Sequence, residues 1–190
     1  MPMIIDDIMT DKITLHGLGF VQVQLEGNQR LHVWHPELPR RACFNDSAIH
    51  DHRFDFVSRV LVGTQINHCY DMQRREDGDF LLYLHEGKRS AKGGRPWTPD
   101  GRATLERGPV FEVRAGIDYG TRAYEYHRTE PGGDGRVATI MQKQSEFPEG
   151  AHSTCRFGVV PDTDFDRFQW SPAKLWEVIT DVLLGQRVAP

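Results

Sequence analysis

The chain has 190 residues, with 23 basic and 27 acidic side chains, a formal net charge of −4 with histidine neutral, 38% hydrophobic residues and 26% charged ones. That length suits one domain with a real core, and the composition excludes a disordered chain. The mild acidic balance excludes a global electrostatic footprint for nucleic acid or an anionic membrane, while leaving room for a local patch.

The expectation is a cytoplasmic protein. No apolar run approaches the roughly 18 residues of a membrane helix, and Met1-Pro-Met-Ile-Ile-Asp-Asp7 has neither the basic start nor the apolar stretch of a secretory leader. Cys43, Cys69 and Cys155 are odd in number and lack CxxC spacing, which argues against a disulfide framework and a thiolate zinc site.

In chain order, 2–12 is a candidate short helix. Phe20-Val-Gln-Val-Gln-Leu25 alternates, Glu26-Gly-Asn-Gln29 turns, and Leu31-His-Val-Trp-His35 returns as a hairpin partner, with Trp34 and His35 read as packing residues. Further strands are expected at 47–62, broken in the middle, then 64–71, 79–85, 103–106, 109–115, 122–129, 136–143 and 153–159. Eight or more short strands without long helices between them indicate a sandwich, jelly roll or barrel. The Gly/Pro-rich basic segment 86–102 interrupts the series and is expected on the surface.

One helix is clear at 172–184. Ser171 can cap it, Pro172 suits its first turn and Gly185 can end it. Leu175, Val178, Ile179, Val182 and Leu183 form one apolar face, so the helix is expected to pack outside the sheets. With no linker to split the chain, 1–190 is read as a single domain, its core about 18–160.

The chemistry concentrates in Asn45-Asp-Ser-Ala-Ile-His-Asp-His-Arg-Phe-Asp-Phe56. In an extended chain His50 and His52 share a face about 7 Å apart, within reach of one metal ion. A first-row metal held by imidazole needs a third ligand from elsewhere, and His127, near the end of a strand, is the best candidate. An H-x-H pair in a strand equally describes two surface or core-edge histidines. The context favours the metal reading: Val60-Leu-Val-Gly63 ends in a turn glycine eleven residues after His52, and a second His-bearing strand follows.

This order resembles the two motifs of the cupin superfamily over about residues 45–145. The Ser-x-Ile-His-Asp-His start and His127-Arg-Thr-Glu130 are most similar to the cysteine-dioxygenase-like thiol dioxygenases. The resemblance implies an all-β, cupin-type antiparallel β-barrel (jelly roll) with the C-terminal helix packed outside. It implies a three-histidine metal site at His50, His52 and His127, holding iron(II) in the cell, with Ni(2+) or Zn(2+) possible as purified. The implied function is an iron(II) dioxygenase whose partners are dioxygen and a small anionic substrate, possibly a thiol, with no membrane and no nucleic acid. The alternative is a non-oxygenase cupin: an isomerase, a hydrolase or a ligand-binding protein with a structural metal. A 2-oxoglutarate oxygenase is disfavoured, because such enzymes usually carry a carboxylate where His52 stands.

The chain departs from the resemblance in three places. Phe56 stands where many cupins carry a glutamate ligand, leaving only Asp55 or Glu125 to swing in. The His-x-Tyr pair expected after the third ligand is replaced by Ile140-Met-Gln-Lys-Gln-Ser145, which puts the substrate in doubt and makes Lys143 or Gln142 a candidate for that wall. The cross-linking cysteine has no counterpart near Phe56 and Val57.

An anionic substrate needs a fixed cation, and arginine's planar fork grips a carboxylate at two points. Arg40 and Arg41 are the first candidates, with Arg114 and Arg128 the others. Tyr126, and Tyr124 beside it, are candidate pocket residues although they alternate to the face opposite His127. Glu125 could accept an imidazole N–H. His68 is a further candidate for the interior.

Overall fold

A computed structural model describes residues 9–185. These residues form eleven strands and two helices. The strands are β1 (Ile13–His16), β2 (Phe20–Gln24), β3 (Gln29–Trp34), β4 (Phe54–Val62), β5 (Thr64–Arg74), β6 (Phe80–His85), β7 (Thr98–Arg114), β8 (Asp118–Thr121), β9 (Tyr126–Pro131), β10 (Val137–Glu146) and β11 (Ala151–Arg156). The helices are α1 (Phe44–Ser47) and α2 (Pro172–Leu184).

The strands form two antiparallel sheets, ordered β1-β2-β3-β10-β4-β8 and β11-β6-β7-β5-β9. The expected closed barrel is corrected to these two sheets. Between the edge strands β9 and β11 runs only the extended segment around His50, joined to each by a single bridge at His127 and Ser153. It is too short to make a ladder.

Both faces of the six-stranded sheet are used. Ile13, Leu15, Val21, Val23, Leu31 and Val33 point to one side, where Leu175, Trp176, Val178, Ile179 and Val182 of α2 cover them. The helix follows its sequence signals: the Ser171 side chain accepts from the Lys174 N–H, and Gly185 ends it in the left-handed conformation at φ 61°. Asp181, on the same buried face, accepts from Arg136 Nε at 2.8 Å and lies 3.0 Å from His35 Nε2, tying helix to sheet. On the opposite side, Phe20, Trp34, Val60, Val113 and Val137 pack between the sheets.

Several expected boundaries move. The first half of 47–62 is the turn α1 and the bridging segment, not a strand. Segments 103–106 and 109–115 are one strand, β7, because Gly108 and Pro109 face Cys69 alone as a bulge between Tyr70↔Arg107 and His68↔Val110. Proline has no N–H for the ladder, so the bulge absorbs it. The first half of the expected 122–129 strand is instead the turn between β8 and β9, in which Tyr124 is left-handed at φ 63°, and only 126–129 belong to β9. Of the candidate helix 2–12, residues 1–8 lie outside the described residues, 9–12 are not helical, and β1 follows directly. Residues 98–102 of the expected loop belong to β7. Among the described residues no helix is long and apolar enough to cross a membrane, and all three cysteines are free.

Candidate metal centre

The bridge at His50 sets the geometry. His50 and His127 exchange both backbone hydrogen bonds, at 3.0 and 2.9 Å, so their side chains stand directly opposite each other. His52 lies two residues on, its carbonyl accepting the Tyr124 N–H at 2.8 Å. The three rings approach to centroid distances of 5.0 Å (His50–His52), 4.7 Å (His50–His127) and 5.0 Å (His52–His127). One nitrogen from each lies within 4.8 Å of the others, a set that could hold a metal ion.

The tautomers of two rings are decided by their partners. His50 Nδ1 lies 2.9 Å from the Ala48 carbonyl and His127 Nδ1 lies 3.0 Å from the Glu125 carbonyl. A carbonyl only accepts, so each Nδ1 carries the hydrogen and each Nε2 keeps its lone pair. Burial keeps all three neutral, helped at His50 and His52 by repulsion from the neighbouring rings. The His50 imidazolium is pushed down to about 3, and those of His52 and His127 are also lowered, each chiefly by desolvation. Three neutral, converging imidazoles, two of them pinned by backbone carbonyls, fit a divalent first-row metal.

The apolar side of the group is made by β4. Phe54 stacks on His52 at 5.0 Å, and Phe56 meets His52 edge-on at 5.4 Å and His127 at 6.3 Å. Phe56 therefore packs against the ligand rings. Neither Asp55 nor Glu125 swings in: Asp55 accepts the Ala123 N–H at 2.8 Å, and the exposed Glu125 carboxylate accepts the Arg122 N–H at 3.0 Å. The expected role for Glu125 is corrected. Its backbone carbonyl, not its side chain, orients His127.

Beside the group lies a cavity of about 300 Å³. His50 and His52 line it together with His16, Phe20, Gln22, Arg30, His32 and Met141 from the six-stranded sheet, and His85, His152 and Ser153 from the other. Arg89, Arg95 and Trp97 of the basic loop and Phe165 and Arg167 of the segment before α2 complete the wall. The loop is not a free surface insertion. The Lys92 carbonyl accepts the Arg167 N–H at 3.0 Å, and the Lys92 ammonium pairs with Asp164.

Of the arginines singled out from the sequence, Arg41 lines the cavity. Its Nε donates to Ser47 Oγ at 2.8 Å, its fork also meets the Ser47 carbonyl, and it lies 4.9 Å above the Trp97 ring. Arg40, Arg114 and Arg128 do not line it. Arg40 stacks on Phe44 at 4.5 Å, Arg114 is exposed at the end of β7, and Arg128 pairs with Glu130. Tyr126 is buried away from the cavity among Leu82 and Ala103, and His68 lies 3.5 Å from Glu130. Lys143 does line the cavity, its ammonium 4.4 Å from the Phe54 ring, whereas Gln142 points outward to the Gly27 carbonyl. None of the five tyrosines lines it.

Sequence reasoning missed His16, Arg30, His32, His152 and Arg167. In β2 and β3 the polar residues Gln22, Arg30 and His32 alternate with Val21, Val23, Leu31 and Val33, a pattern that ordinarily means a solvated face. Here α2 takes the apolar face, and the polar one lines the cavity. The apolar stripe of the helix was the available signal, because it needed a sheet face to cover.

No protein-family model and no curated protein matches the chain. Seven chains of solved structures do match. One is a crystal structure of hydroquinone 1,2-dioxygenase from Sphingomonas sp. TTNP3 with 4-hydroxybenzoate bound, at 11% identity and a TM-score of 0.31, over 66% of this chain and 65% of that one. The chain thus spans just under two thirds of that structure's length.

Proposed function

We propose that the chain is a metal-dependent, cupin-type oxygenase that uses iron(II) and dioxygen to oxidise a small anionic molecule. The observation that carries this reading is the convergence of three neutral histidines, two of them with Nε2 left free by their Nδ1 partners, beside a cavity lined by basic side chains. Iron(II) held by His50, His52 and His127 would supply the one-electron chemistry through which dioxygen reacts with an organic molecule.

The chain's own residues supply the rest. Phe54, Phe56 and Met141, clustered and buried, exclude water from one side of the ligand rings. The carbonyls of Ala48 and Glu125 hold two imidazoles in their ligating tautomer before any metal arrives, which limits the reorganisation that binding requires. Basic groups on the cavity wall draw in and orient an anion. Thiol substrates remain the reading implied by the His50-Asp-His52 and His127-Arg-Thr-Glu130 sequences. The lack of any tyrosine in the cavity argues for a substrate other than free cysteine.

Metal analysis of the wild type against the double variant His50→Ala, His52→Ala tests the site, and equal metal content in the two would overturn it. Oxygen uptake by the iron-loaded wild type with a panel of anionic thiols and non-thiol acids tests the activity. Silence across the panel would favour a non-oxygenase reaction at the same metal.

A further inference from the structure

The whole molecule carries a net charge of −4, yet seven basic and only three acidic side chains line the cavity. The acids there are already engaged. Glu146 pairs with Arg53 at 2.7 Å and Lys143 at 3.6 Å, Asp51 lies 3.2 Å from His152, and Asp162 accepts the Ala42 N–H at 2.8 Å.

Among the described residues, Arg30, Arg89 and Arg167 form no ion pair with a carboxylate. Each is anchored through neutral acceptors: Arg30 Nε to Gln24 Oε1 at 3.2 Å, Arg89 Nη1 to the Gly93 carbonyl at 2.6 Å, and Arg167 to the Leu15 carbonyl at 3.0 Å and Thr14 Oγ1 at 3.2 Å. Such anchoring holds each fork through neutral groups, and only Arg30 feels a carboxylate, that of Glu146, which Arg53 and Lys143 already engage. The three are close enough to repel one another. Arg167, lowered to about 10, is depressed first by burial and then by Arg89 and Arg30, and Arg30 by burial and then Arg89. His32 Nε2, buried on the same wall, has no hydrogen-bond partner. Arg30 and Arg167 are half-buried and Arg89 is exposed at the mouth, so the group can be reached from solvent, and an anion seated among the three would offset the partial desolvation of the two inner cations.

Resting on the reading of this cavity as the substrate site, we propose that its substrate carries, besides the group that meets the metal, an anionic group of at least two charges gripped by Arg30, Arg89 and Arg167. A phosphate monoester or a compact dicarboxylate has this chemistry. One carboxylate would satisfy one fork and leave two bare, whereas a doubly charged group with three or four acceptor oxygens can bridge all three. The basic loop then has a function, since it brings Arg89 to a wall that already holds Arg30 of β3 and Arg167.

Calorimetric titration of the full-length protein at constant ionic strength tests this, with inorganic phosphate and malonate as probes and acetate as the monoanion control. One or both dianions should bind at least about tenfold more tightly than acetate, and the stronger of the two identifies the chemistry. Arg30→Gln and Arg89→Gln should each weaken that binding about tenfold. Arg89 bonds only within its own loop, so its variant keeps the fold even if Arg30→Gln does not. The metal-ligand double variant His50→Ala, His52→Ala should still bind the dianion, so this result is independent of whether a metal is present. Dianions binding no better than acetate, or affinities unchanged in both arginine variants, would overturn the proposal. Binding lost only in the histidine variant would place the anion on the metal, overturning the proposal while leaving the metal site standing.

Discussion

The backbone N–H of Tyr124 donates to the carbonyl of His52 at 2.8 Å while Tyr124 itself is held left-handed at φ 63°. A bulky residue pays about 1–2 kcal/mol for that conformation, and β-branched residues tolerate it least. The turn between β8 and β9 therefore stores strain to position a ligand segment. Tyr124→Val is expected to be less stable than Tyr124→Gly by about 1–2 kcal/mol in urea unfolding, and to bind metal more weakly. Equal stability of the two variants would mean that the position is not left-handed.

A second histidine system lies on the same cavity wall. His152 sits 3.2 Å from Asp51 and 3.1 Å from Asp100, and the bond to Asp51 is the main reason its pKa is raised. A folded-state pKa above the unfolded one makes the contribution complete below the ordinary histidine value, and lost as the pH rises through the raised one. His152→Gln should therefore cost about 1 kcal/mol in denaturant unfolding at pH 5.5 and clearly less at pH 9. A cost that does not vary with pH would show that the charged imidazole is not what the two carboxylates hold.

The docking of α2 has the opposite sign. Asp181 is lowered first by its hydrogen bond from Arg136, so its stabilisation is present above the ordinary carboxyl range and disappears as the pH falls through the depressed value. Asp181→Asn is expected to destabilise the protein by about 1–2 kcal/mol at pH 7, with the gap closing below about pH 4. Ile179→Ala, deleting a fully buried side chain of the same face, should cost about 2–5 kcal/mol at either pH. The comparison separates the ion pair from the packing.

No phenol reaches the cavity. Tyr83 stands behind Trp97 at 5.4 Å, and Tyr126 lies 6.5 Å from His152. Well-placed general acid help is worth roughly 10²–10⁴ in rate. Free cysteine is accordingly expected to be turned over poorly by the iron-loaded protein in an oxygen electrode. Tyr→Phe changes at 70, 83, 119, 124 and 126 should each leave the turnover of better substrates within about threefold, far short of that general-acid factor. Efficient cysteine oxidation, abolished by one of these changes, would contradict the expectation.

The elements legible in the sequence were those governed by neighbours a few residues away. Helix α2 runs over the expected residues because Ser171, Pro172 and Gly185 act locally on its ends, and the β2–β3 hairpin shows in its period-two pattern. The His50-x-His52 pair and His127 stood out for the same reason, since residue type and spacing alone mark them as imidazoles able to share a face. Tertiary structure decided what no spacing carries. It brought His127 opposite His50 through two backbone hydrogen bonds between segments 77 residues apart in the chain. It turned the Glu125 carbonyl, not its carboxylate, onto the third ring. It also chose which arginines face the cavity, because a strand's polar face reads the same in sequence whether it meets water or a ligand. Only the placement of α2 on the apolar face of the sheet turns Arg30 and His32 inward beside Arg167.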